Sequence, residues 1–84
     1  MDIINVYAKD ASGGGYYRKD VIGVMTEIRA MEPGSVRIFS HDYTEACRTA
    51  CSILRRKEGM NVWVKVAPFE GEKVMKVEKF EVED

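Results

Sequence analysis

A chain of 84 residues with 45% hydrophobic and 32% charged side chains has room for one domain (1–84) and the make-up of a globular protein, which excludes disorder as its default state. Its 13 Lys and Arg nearly balance 14 Asp and Glu, so the net charge of −1 gives none of the basic excess with which duplex-DNA binders neutralise phosphates. Two cysteines make no disulfide framework, and the N-terminal residues lack a basic region followed by a long apolar stretch, so the expectation is a cytoplasmic protein without signal peptide or membrane span.

In chain order, the β-branched and aromatic content of residues 3–8 predicts a short strand. A loop follows, ending in Ser12-Gly13-Gly14-Gly15. From about Arg18 to Met31 the residues Val21, Val24, Met25, Ile28 and Met31 recur at helical spacing. Pro33-Gly34 ends that helix, because proline cannot continue the hydrogen-bond ladder. Val36-Arg37-Ile38-Phe39 reads as a second strand, with Val36 and Ile38 as its core positions. Asp42 with Glu45 makes a D-x-x-E capping pattern before a second helix. The apolar stripe of that helix is Tyr43, Ala46, Cys47, Ala50, Cys51 and Leu54, with Ile53 flanking, and Gly59 is placed to end it in the left-handed conformation. Val62, Val64 and Val66 alternate with polar residues, and a turn at Glu70-Gly71 aligns Val66 with Met75 and Val64 with Val77. Phe80 and Val82 fall out of phase, which predicts a bulge near Glu78-Lys79 or fraying of the strand.

The resulting expectation is an α+β fold in the order βαβαββ: about four strands in a mixed or mostly antiparallel sheet, with two helices on one face. A β–α–β crossover at the start would make the first two strands parallel. The expected core is Ile4, Val6, Val24, Ile28, Val36, Ile38, Ala50, Leu54, Val62, Val64 and Val77.

No constellation of residues points to catalysis. The glycine segment has the layout of a phosphate loop, but it carries neither the P-loop Lys-Ser/Thr nor G-x-G-x-x-G. Ser12, Arg18 and Lys19 are therefore candidates only for a small phosphate, ligand or partner contact. Cys47 and Cys51, with His41 nearby in sequence, fall short of the four donors zinc usually requires, and packing explains them better; no metal or cofactor is expected. Asp42 beside His41 reads as a helix cap rather than an acid–base pair. The basic residues say more. Arg48, Arg55 and Arg56 lie off the apolar stripe of the second helix, while Lys65 and Lys76 face each other on the exposed side of the hairpin beside Trp63. Lysines flanking an aromatic on a sheet can bind single-stranded nucleic acid. Interspersed glutamates point instead to a solvated charged face with Trp63 covered by another element, or to a protein-binding surface built on Trp63.

The run Pro33-Gly34-Ser35-Val36-Arg37-Ile38, the Tyr-led helix from Tyr43 to Gly59 and the hairpin from Asn61 to Phe80 together resemble small accessory proteins encoded by bacteriophages and other mobile elements. That resemblance covers a little over half the chain and defines no functional residues. It implies a non-enzymatic protein that binds a host protein or assembly in the host cytoplasm, with inhibition of host defence as one outcome. A nucleic-acid-binding regulator is the alternative, a phosphate- or ligand-binding domain the third, and a homodimer through the hairpin edge a further expectation.

Overall fold

A computed structural model describes residues 3–4 and 19–82. The fold is α+β with two helices and an antiparallel three-stranded sheet, to one edge of which a two-residue strand is added. The elements are β1 (Ile3–Ile4), α1 (Lys19–Ala30), β2 (Val36–Ser40), a 3-10 turn (His41–Tyr43), α2 (Thr44–Glu58), β3 (Asn61–Phe69) and β4 (Glu72–Phe80). The sheet runs β1-β2-β4-β3, with β1 parallel to β2 and every other pairing antiparallel. The expected order thus gains a 3-10 turn, and the expected fourth strand amounts to two residues. The rest of the 3–8 strand, the side chains of Ile4 and Val6, and the glycine segment lie outside the described residues.

Both helices lie on the same face of the sheet. Val21, Val24, Met25, Ile28 and Met31 of α1 and its exit join Ala46, Cys47, Ala50, Cys51, Ile53 and Leu54 of α2 in one cluster with Phe39, Val62, Met75 and Val77. Residues directly opposed across a ladder share a face, so Phe39, Met75 and Val66 form one row, and Arg37, Val77 and Val64 the next. This reverses the expected phase of β2. Phe39 points at the helices, whereas Val36 is half-buried and Ile38 buried on the back face, where Val74 is buried too. The cause is Arg37, which occupies a helix-side position at the end of the strand and donates to the Val36 carbonyl at 3.2 Å. A charged residue there makes the wrong face look apolar.

The same effect accounts for the absent bulge. The β3–β4 register is continuous from Asn61↔Phe80 to Phe69↔Glu72, with Val66↔Met75 and Val64↔Val77 as the turn position requires. Lys79 stands on the helix side opposite Val62, and its ammonium reaches the C-terminus of α1, donating to the carbonyls of Ile28 (3.0 Å) and Met31 (2.7 Å). The Ile28 carbonyl also accepts from Met31 N–H at 3.0 Å, and a cation suits the negative end of the helix dipole. Phe80 then falls on the back face through ordinary alternation. The Lys79 backbone also binds the chain on its way to β2, with Gly34 N–H donating to its carbonyl at 2.7 Å and its N–H donating to Ser35 O at 3.1 Å. Lys79→Met keeps the aliphatic stem but removes the charge. It is expected to cost about 1–3 kcal/mol in urea unfolding, the range for depriving buried acceptors of a charged donor.

At the start of α2 the expected Asp42 cap is absent. Asp42 is exposed, and its N–H donates to the Ser40 hydroxyl at 3.3 Å, so Ser40 caps the 3-10 turn. Tyr43 then precedes α2 without a side-chain cap, and the Thr44 N–H and Oγ1 both bind the His41 carbonyl, Oγ1 at 2.6 Å. The turn thereby pairs the Asp42 and Thr44 amides without a capping box. At the other end Gly59 adopts φ 65° and donates to the Leu54 carbonyl, as does Met60 at 3.2 Å. Nothing lies near a side chain added at Gly59, so Gly59→Ala tests conformation alone. It should lower stability by about 1–2 kcal/mol.

Candidate interaction site around Trp63

Both helix C-termini end near the start of β3 and the end of β4, joined on the surface by the Arg29–Glu58 ion pair. The Arg29 guanidinium, hydrogen-bonded to the Glu58 carboxylate, holds that carboxyl below the usual range. At this end of the molecule lies an open groove of ≈ 550 Å³, whose lining includes Arg55, Met60, Asn61, Trp63, Glu81 and Val82. Trp63 is 54% exposed, and Phe80 and Val82 are exposed beside it.

Two contacts fix the indole. Its Nε1–H donates to the Asn61 side-chain oxygen at 2.8 Å, the partner one strand repeat away. The Arg55 guanidinium lies 4.1 Å from the ring centroid, a cation–π contact. Arg55 comes from the helix side. It reaches the indole by passing around the outer edge of β3, where it donates to the Val62 carbonyl at 2.9 Å. The expected cover over Trp63 is therefore one guanidinium and not a packed element.

The other candidate residues divide. Lys65 and Lys76 are opposite each other on the same face as Trp63, as expected, but Lys65 is paired with Glu78 at 3.3 Å. Arg48 and Arg56 are exposed on α2, and Arg56 donates to its own Ser52 carbonyl at 3.4 Å, so neither converges on the indole. Ser12 and Arg18 lie outside the described residues, as does the Lys19 side chain. Sequence reading missed Met60, Asn61, Glu81 and Val82 at this site. The Asn61-x-Trp63 spacing was the available signal, because alternate strand residues share a face.

Cys47 and Cys51 are fully buried in the core. Burial raises the Cys47 thiol to about 12, with Cys51 and Asp20 contributing, and the Cys51 thiol to about 11, partly offset by Arg55. Such thiols are poor nucleophiles, because the thiolate is the reactive form. Among the described residues no three His, Cys, Asp or Glu side chains come together as metal donors, and no helix is long and apolar enough to cross a membrane. Among known proteins, the chain matches no family, and no curated protein or solved structure is significantly similar to it.

Proposed function

We propose that this chain is a non-enzymatic binding domain that docks a protein partner on the Trp63 end of its sheet. The observation that carries this reading is an exposed indole already held in one orientation by Asn61 and Arg55. A side chain ordered before binding loses little entropy on association, and Trp and Arg are the residue types that most often dominate interface energies. The adjoining groove sets Met60, Trp63 and Val82 beside Arg55, Asn61 and Glu81, a mixed seat for one partner side chain with both apolar and polar groups. On the resemblance to phage-encoded accessory proteins, the partner is a host protein or assembly and the consequence is its inhibition.

A single-stranded nucleic acid fits this surface less well. The cation nearest the indole is already stacked on it, Lys65 is neutralised by Glu78, and Glu81 lines the groove.

Affinity capture with wild-type and Trp63→Ala baits tests the proposal. Loss of a central Trp is expected to weaken partner binding by about 2 kcal/mol or more, roughly thirtyfold. Because Trp63 is exposed, the variant should keep wild-type stability to within about 0.5 kcal/mol. Equal recovery of the same proteins by both baits defeats the reading. A labelled oligonucleotide retained at low salt and released by Arg55→Ala with Arg56→Ala would favour nucleic acid instead.

A further inference from the structure

We infer that the outer edge of β3 pairs with β3 of a second copy of this chain, antiparallel about a two-fold axis at Val66, an assembly that goes beyond the Trp63 docking reading and does not depend on it.

Which backbone groups the edge presents follows from the ladder. The Glu70-Gly71 turn, with φ 50° and 82°, is the two-residue type whose flanking residues, Phe69 and Glu72, bond to each other. Alternation then directs the N–H and C=O groups of residues 61, 63, 65, 67 and 69 towards β4, and those of 62, 64, 66 and 68 outward. Two independent contacts agree. The outward-facing Val62 carbonyl is the one Arg55 reaches, and Lys79 N–H on β4 points away from β3 to Ser35 O. Among the described residues no strand pairs with this edge. Arg55 closes it at Val62, and Pro68 has no N–H, so the groups without a partner among the described residues are those of Val64 and Val66 and the Pro68 carbonyl.

A two-fold axis at Val66 uses these groups and matches the side chains. Val66 exchanges both backbone bonds with Val66 of the second copy, and Val64 donates to the Pro68 carbonyl of that copy. Val66, 44% exposed on the helix side, packs against its own equivalent. On the back face Trp63 falls opposite Phe69 of the second copy and Lys65 opposite its Ala67, an aromatic pair and a charge opposite a small residue. Val62, with Arg55 on its carbonyl, falls opposite Glu70 of the second copy. Glu70 is exposed and has no cationic partner among the described residues, so the two charges are complementary across the interface. An axis at Lys65 would set Lys65 against itself and bring the Pro68 nitrogen against the carbonyl that Arg55 already occupies. That register is disfavoured on both counts.

Sedimentation of the wild-type chain should give a dimer mass that falls on dilution, and Val66→Lys should be monomeric with an unchanged far-ultraviolet spectrum. Under mild oxidation Val66→Cys should form a disulfide-linked dimer. Lys65→Cys should not, because its equivalents are more than about 7 Å apart in this register. A wild-type monomer at concentrations up to about 1 mM overturns the inference. So does a dimer that survives Val66→Lys, or a Lys65→Cys variant that cross-links more readily than Val66→Cys.

Discussion

Phe39→Ala is expected to lower the free energy of unfolding by about 3–5 kcal/mol, the range for truncating a fully buried phenylalanine. Phe39 heads the fully buried side chains in size and lies at the centre of the sheet, paired with Met75 beneath the helices. Its ring touches the one cluster that both helices share, so no single element can move in to close the cavity. Domains are stable by only about 5–15 kcal/mol, and a small one has little surplus. The variant should therefore be partly unfolded at physiological temperature, with an earlier urea midpoint and an unchanged slope. Trp63→Ala removes a larger aromatic from the surface and should leave the midpoint almost where it was. If the two substitutions cost the same, Phe39 is not where the core is centred.

How far the fold was legible depends on where charged residues fall. Both helix stripes are free of charge on their buried sides, and Val21, Val24, Met25, Ile28, Met31 and the α2 series from Ala46 to Leu54 are buried as their spacing requires, whereas Tyr43, expected to lead the second stripe, lies half-buried in the 3-10 turn. The hairpin register follows from one turn dipeptide and two apolar pairs, Val66 with Met75 and Val64 with Val77, both of which recur in the ladder. β2 and the end of β4 misled for a common reason. Arg37 and Lys79 occupy helix-side positions but carry their charges out to backbone carbonyls at the sheet's end. Long basic side chains can bury an aliphatic stem and place the head on a polar group, and an apolar–polar alternation does not register that. The helix cap misleads for a different reason. Asp42 matches a capping pattern, but Ser40 lies two residues earlier and closes a 3-10 turn that the pattern does not anticipate.

The candidate site was legible in part. Trp63 with Lys65 and Lys76 on one face follows from strand alternation alone. Spacing along the helix groups Arg55 with Arg48 and Arg56 as a basic surface, and no local pattern separates it from them. Its role depends on α2 packing across β3, which brings only Arg55 near enough to turn around the strand edge. One side chain thereby caps an edge carbonyl and stacks on the indole. Such long-range placements come from tertiary packing, so they lie outside what spacing along the chain can show.

The largest pH effect is expected on the alkaline side and to belong to the two core cysteines. Their folded-state values, about 12 for Cys47 and about 11 for Cys51, stand above the ordinary 9.0 because burial opposes a thiolate. Below pH 9 both states carry the proton and the thiols contribute no pH dependence. Above it the unfolded chain releases protons that the native core retains, so the native state binds more of them and stability falls as pH rises. Each thiol costs about 1.4 kcal/mol per pH step in that window, which makes roughly 3 kcal/mol for the pair between pH 8 and pH 10. The decline should continue towards pH 11 and level off once the native thiols themselves ionise. Other groups titrate in the same range, so the discriminating measurement is a comparison. Cys47→Ala with Cys51→Ala should start less stable at pH 7 because two small cavities are left, yet lose less on going to pH 10. Native protein should resist a thiol reagent at pH 8 at a rate that tracks unfolding, since neither sulfur is exposed. Parallel alkaline declines in the two proteins, or rapid labelling of the native chain, would mean that these thiols are open to solvent and not part of the core.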